Sequence, residues 1–181
     1  MILQPCLKGL EATASDALFS PCRRYRFALM RRWADGDWFG EVEGGILNVI
    51  GCNASTADEL VNDPTVERCE RRARKLGFGA LVITNVFGWR STNPKILRKV
   101  ADPVGDGNDA AILEWARRAK MVLCAWGLNA RLHHRSEKVR ALLARDKIAT
   151  HCLRLCACGE AEHPLYISYS VQPKPYSLNG A

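Results

Sequence analysis

A chain of 181 residues, 48% hydrophobic and 25% charged, has the size and balance of one globular domain able to bury its own core. No apolar run approaches a membrane span, and residues 1–20 carry Lys8, Glu11 and Asp16 where a secretion signal would be continuously apolar, so a cytoplasmic protein is expected. The net charge of +7 and pI of about 9.1 favour an anionic partner, nucleic acid before others.

Residues 1–22 read as an irregular lead-in. Over 24–33 the apolar positions Tyr25, Phe27 and Leu29 alternate with basic ones, the pattern of a half-buried strand, and 34–37 make a turn. Residues 45–58 carry the strongest signal in the chain. The apolar run Ile46-Leu47-Asn48-Val49-Ile50 closes on Gly51 and passes at once into Asn53, Ser55, Thr56 and Asp58. A buried parallel strand that delivers a polar loop to the carboxyl edge of a sheet has this form, and in open α/β sheets ligands bind beyond that edge. The plain alternative is a strand followed by a polar turn. The earlier strand, 24–33, is then expected to be an antiparallel edge.

Asp63-Pro64 starts a helix that turns Val66, Cys69, Ala73 and Leu76 inward and ends at Gly77. Residues 80–87 form a second buried strand, followed by a polar loop, 88–94, with one exposed-looking aromatic, Trp89. A Gly/Pro/Asp stretch over 101–108 leads into a helix with Ile112, Trp115, Ala116 and Ala119 inward, and 121–126 is a third parallel strand closed by Gly127. Ser136 is expected to cap a further helix carrying Val139, Leu142 and Leu143, and the fourth strand is placed at about 148–155. A loop then holds His163 to Tyr166, and the proline-rich tail 172–181 is expected to be loose. This alternation predicts a single α/β domain over 1–181: a three-layer α/β/α sandwich with a four-stranded parallel sheet plus an antiparallel edge strand.

Basic residues concentrate in 23–32, 71–75 and 131–147. The first and third are candidates to flank a groove, although any one such run is ordinarily a solvated face. The eight cysteines are scattered and make no paired C-x-x-C knuckles. Cys69 and Cys124 fall on apolar faces, where thiols behave as small hydrophobes. His151, Cys152, Cys156, Cys158 and His163 have ligand chemistry, but Cys156-Ala157-Cys158 is too tight for a standard zinc clip. Reduced structural thiols are the expectation, with no metal and no cofactor. The sequence contains no Gly-rich P-loop, no dinucleotide fingerprint and no nucleophile elbow.

Several motifs together, Arg24-Tyr25-Arg26-Phe27, Asn53-Ala54-Ser55-Thr56-Ala57-Asp58, Asp63-Pro64-Thr65, Thr84-Asn85-Val86-Phe87, Ala125-Trp126-Gly127 and His163-Pro164-Leu165-Tyr166, resemble a bacterial and phage domain-of-unknown-function family, number sixteen-forty-three. That resemblance covers about residues 18–168 and implies no activity. The family's first motif has proline where Ala54 stands, which leaves this loop less rigid. The order of motifs also looks like the uracil-DNA glycosylase superfamily. There, one strand ends in a Gly-x-Asn-Pro-Gly-like run, matched by Gly51-Cys52-Asn53-Ala54-Ser55, and the next ends in Thr-Asn-Val, matched by Thr84-Asn85-Val86. A late His-Pro-Ser is matched in part by His163-Pro164, with Leu165 departing from it.

The resemblance to that superfamily implies a DNA glycosylase-like protein that hydrolyses the N-glycosidic bond of a damaged or modified base. Such a reaction builds positive charge on the sugar and negative charge on the departing base, within a pocket that takes a flipped nucleotide. Asn53 then holds the attacking water, with Asp58 as the alternative water-activating base. Asn85 reads the base edge, and neutral His163 donates to the leaving base. Phe87, Trp89 or Tyr166 stacks on the base, and Ser55, Thr56, Arg90 and Ser91 contact phosphates. The expected partners are DNA, single- or double-stranded, and a nucleobase ligand. Each of these side chains also has a structural reading, as a turn cap or a packing residue. Two functional rivals therefore stand beside the enzyme: a non-catalytic nucleic-acid or nucleotide-binding module, and an enzyme of free nucleotides or nucleosides.

Overall fold

The computed structural model describes residues 14–55, 57–58 and 62–176. Among them, seven strands form one mixed sheet: β1 (Ala14–Phe19), β2 (Arg26–Arg32), β3 (Ile46–Asn53), β4 (Ala80–Phe87), β5 (Met121–Cys124), β6 (Thr150–Cys152) and β7 (Lys174–Pro175). Their spatial order is β1-β2-β4-β3-β5-β6-β7. β4, β3, β5 and β6 pair in parallel, whereas β1 and β2 on one side and β7 on the other pair antiparallel. Three helices connect them: α1 (Pro64–Lys75), α2 (Asn108–Arg118) and α3 (Arg135–Arg145).

β3, β4 and β5 are mostly apolar because both faces of the sheet are covered there. In β3, Leu47 and Val49 pack with Val66, Cys69 and Ala73 of α1. Ile46 joins Trp115 of α2, and Ile50 joins Ile112 and Ala116 of α2 with Val139 and Leu143 of α3. Within β3 itself one polar side chain is wholly buried: Asn48, whose Nδ2 donates to the Val82 carbonyl and to Thr84 Oγ1 across the β3–β4 pair. No helix among the described residues is long and apolar enough to cross a membrane.

The terminal regions depart from expectation. The lead-in contains β1, paired with β2, so the strand of 24–33 is an inner strand and not the edge. Its residues are accordingly buried on both faces, Arg26 and Arg31 included. The strand placed at 148–155 shortens to Thr150–Cys152. Ser136 does not cap α3, which begins one residue earlier after His134. Instead Ser136 is buried, and its hydroxyl donates to Glu160. The tail is tied down through Tyr176: β7 pairs with β6, and Thr150 Oγ1 donates to the Tyr176 carbonyl. Residues 177–181 lie outside the described residues.

Candidate functional site

At the carboxyl edge of the parallel strands the chain encloses a cavity of about 600 Å³, a size that suits a nucleotide-sized ligand. Asn53 from β3, Asn85 from β4 and His163 from the last loop all line it, together with Ser55 and Ser91. The start of α1 forms another wall, through Asp63, Thr65 and Val66.

Asn53 is held by its nitrogen: Nδ2 donates to the carbonyls of Ser91 (2.7 Å) and Ala54 (3.1 Å). An amide fixed in this way leaves its oxygen as the end available to a water or ligand. Asn85 is 3% exposed, and its Nδ2 has no partner among the described residues. Its neighbour in the parallel register is Gly51, where a Cβ would sit 2.8 Å from Asn85 Oδ1. The glycine that ends the apolar run therefore makes room for the asparagine. Behind Asn85, the buried Asn108 donates to the carbonyls of Asn85 and Val86 and fixes the end of β4.

His163 stands before a 3₁₀ turn, Pro164–Tyr166, and its Nδ1 accepts from the Leu165 N–H at 3.4 Å. With Nδ1 as acceptor, a neutral imidazole carries its proton on Nε2, free to donate. Burial lowers the His163 pKa, opposed by the nearby charge of Asp63, so the neutral form is favoured. Arg72 of α1 anchors the segment after this turn, donating to the carbonyls of Ile167, Ser168 and Val171.

Other expected residues lie elsewhere. Phe87 is wholly buried in the core, which leaves no ring face for a base. Trp89 packs edge-on against Tyr25 at 5.3 Å, and Tyr166 is 88% exposed outside the cavity. The aromatic ring on the cavity wall is Trp126, oriented by a 2.8 Å hydrogen bond from Nε1 to the buried carboxylate of Glu160. Arg90 lies over the Phe19 ring and donates to the Arg23 carbonyl. Asp58 does not line the cavity, and its carbonyl is held by Arg31. Ser55 and Ser91 reach the wall, but their hydroxyls already serve local turns, Ser55 accepting from Ala57 N–H and Ser91 donating to the Asn93 carbonyl. Thr56 lies outside the described residues.

The wall also carries Asp63, expected from sequence as a helix cap, and Arg26, which sequence reasoning misses. Asp63 caps α1, accepting from Val66 N–H at 2.8 Å, as its place before Pro64 predicts, and it also faces the cavity. Arg26 is 2% exposed and lines the cavity, with Nη1 donating to the Ala57 carbonyl. Burial lowers its pKa to about 10. The pattern of a half-buried strand puts this side chain in solvent. The signal for its burial is β1, which makes β2 an inner strand.

Cys52, Cys69 and Cys156 also line the cavity. Burial pushes the first two thiols up to about 12, so they are inert at neutral pH. Among the described residues no group of three or more His, Cys, Asp or Glu side chains is placed to hold a metal.

No curated protein matches the chain, and no solved structure does. A family model does match, over residues 26–165, a span that contains Asn53, Asn85, His163, Arg26 and Asp63. The chain belongs to the family described as "Protein of unknown function (DUF1643)".

Proposed function

We propose that this protein binds a flipped nucleotide in DNA and hydrolyses its N-glycosidic bond. The observation that carries the proposal is the convergence of Asn53, Asn85 and His163, more than a hundred residues apart at the extremes, on one cavity. Asn85 offers an unpaired donor for a base edge. The Asn53 oxygen, left free by its nitrogen's two hydrogen bonds, holds the water for attack at the sugar. An amide is a feeble base, so a slow enzyme is expected. His163 Nε2–H stabilises negative charge on the leaving base, a contribution of roughly 100- to 1,000-fold in rate for one preorganised donor. These roles, and parallel strands with helices on either side, fit a distant relationship to the uracil-DNA glycosylase superfamily.

A second reading is a non-catalytic module using the same cavity. It is favoured by Ala54 and Leu165, which depart from that superfamily's motifs, and by the absence of Phe87, Trp89 and Tyr166 from the cavity wall. Base release from a panel of oligonucleotides carrying modified bases separates the two. Abasic product from the wild type, lost in Asn53→Ala and His163→Ala, supports hydrolysis, whereas binding with no abasic product from any substrate supports the module.

A further inference from the structure

We infer that Arg26 anchors an oxyanion subsite in the cavity wall and that the group it takes is a phosphate of the bound nucleotide. The inference deepens the nucleotide reading of the cavity and rests on it. It starts from a buried charge without an ion-pair partner, on which Asp63 and Asp58 act only from beyond contact distance. Arg26 is 2% exposed, yet no carboxylate lies within ion-pair distance among the described residues. Of its donors, Nη1 is used on the Ala57 carbonyl and Nε has no partner. A buried guanidinium left in that condition is strongly disfavoured. Two other buried arginines fill their forks, Arg135 on Asp109 and Arg72 on the carbonyls of Ile167, Ser168 and Val171. Arg26 lacks such a set of partners, and it faces a cavity.

Three further features favour phosphate as the missing partner. The planar fork of arginine matches phosphate oxygens two at a time. The N-terminus of α1, represented on the wall by Thr65 and Val66, adds partial positive charge on the same cavity. A cavity of about 600 Å³ also exceeds what a bare base fills and leaves room for sugar and phosphate. Against the anion stands Asp63, whose carboxylate caps α1 from the same wall. Asparagine caps a helix as well as aspartate does, so Asp63→Asn removes that repulsion while keeping the fold. The phosphate belongs either to the backbone of a polynucleotide or to the end of a free nucleotide. The chemistry is the same.

The test measures binding of inorganic phosphate, of deoxyuridine and the common deoxynucleosides, of their 5′-monophosphates, and of single-stranded oligonucleotides of the same bases. Wild type, Arg26→Gln and Asp63→Asn are compared by calorimetry. The expected result is monophosphate binding roughly 10- to 100-fold tighter than nucleoside in the wild type, the range for one charge-assisted contact. Arg26→Gln abolishes that preference and Asp63→Asn increases it. An oligonucleotide bound better than the monophosphate assigns the anion to the backbone, and the reverse assigns it to a free nucleotide. Equal binding of nucleoside and monophosphate by the wild type overturns the subsite, as does Arg26→Gln that keeps the preference. If Arg26→Gln fails to fold, Asp63→Asn decides, and an unchanged or weakened phosphate preference overturns the inference. A phosphate preference without any base release leaves the subsite standing and removes the catalytic reading. Base release without the preference does the opposite.

Discussion

Gly51 and Asn85 form the most direct test at the level of single residues. Because a Cβ at position 51 would meet Asn85 Oδ1 at 2.8 Å, Gly51→Ala must displace the amide, the end of a side chain and not backbone. Ligand affinity is expected to fall about tenfold, the loss of one good hydrogen bond, with little change in the melting temperature. Unchanged affinity would show that Asn85 does not read the ligand. His163 predicts a pH effect. Its folded pKa lies below the ordinary 6.5, so between the two values the unfolded chain holds the extra proton. Stability is therefore complete above about 6.5 and declines as the pH falls below it, since charging the buried imidazole costs desolvation. Thermal melts of the wild type and His163→Gln between pH 7 and pH 5 check this, and the variant is expected to lack that part of the decline. That the two asparagines and the histidine share one cavity was legible because Asn53 ends β3, Asn85 stands near the end of β4 and His163 precedes proline in a polar loop. Arg26 was not legible, because alternation with Tyr25 and Phe27 is the mark of a solvent-facing position until another strand covers the edge.

Among the elements, α1 does the most to build the site. It packs on the sheet through Val66, Cys69 and Ala73, presents its capped N-terminus to the cavity, and holds the His163 segment through Arg72. Asp63→Ala should destabilise the fold by about 1 kcal/mol through the lost cap, measured by denaturant unfolding, whereas Asp63→Asn should change stability little. Arg72 is 2% exposed and donates to three carbonyls beyond the 3₁₀ turn. Arg72→Met leaves those carbonyls unpaired, so a loss of roughly 3 kcal/mol is expected. Ligand binding should weaken with it, although Arg72 does not line the cavity. Normal affinity in a destabilised Arg72→Met would mean that the anchor serves the fold alone. The caps and periods of α1, β3 and β4 were plain in the sequence because local chemistry fixes them. β1 and β7 were not, since a six-residue strand of mixed polarity and a two-residue strand exist only through their partners.

For the molecule as a whole, the proposed binding to DNA predicts a steep dependence on salt if several phosphates are contacted by this basic chain. Affinity for an oligonucleotide is expected to fall much more sharply with added salt than affinity for a mononucleotide, and equal slopes would confine recognition to the cavity. The alternation of strand and helix marked out an α/β protein from residue 45 onward. Why the cavity forms there is a property of the assembled sheet: β3, β4 and the segment after β5 end together, and the start of α1 and the His163 segment wall them in. The measurement that bears most directly on this account is a crystal structure with a modified nucleoside or oligonucleotide bound. The account predicts the base edge within hydrogen-bond distance of Asn85 and His163, with the sugar facing the Asn53 amide oxygen. A ligand bound elsewhere, with these three side chains untouched, would contradict it.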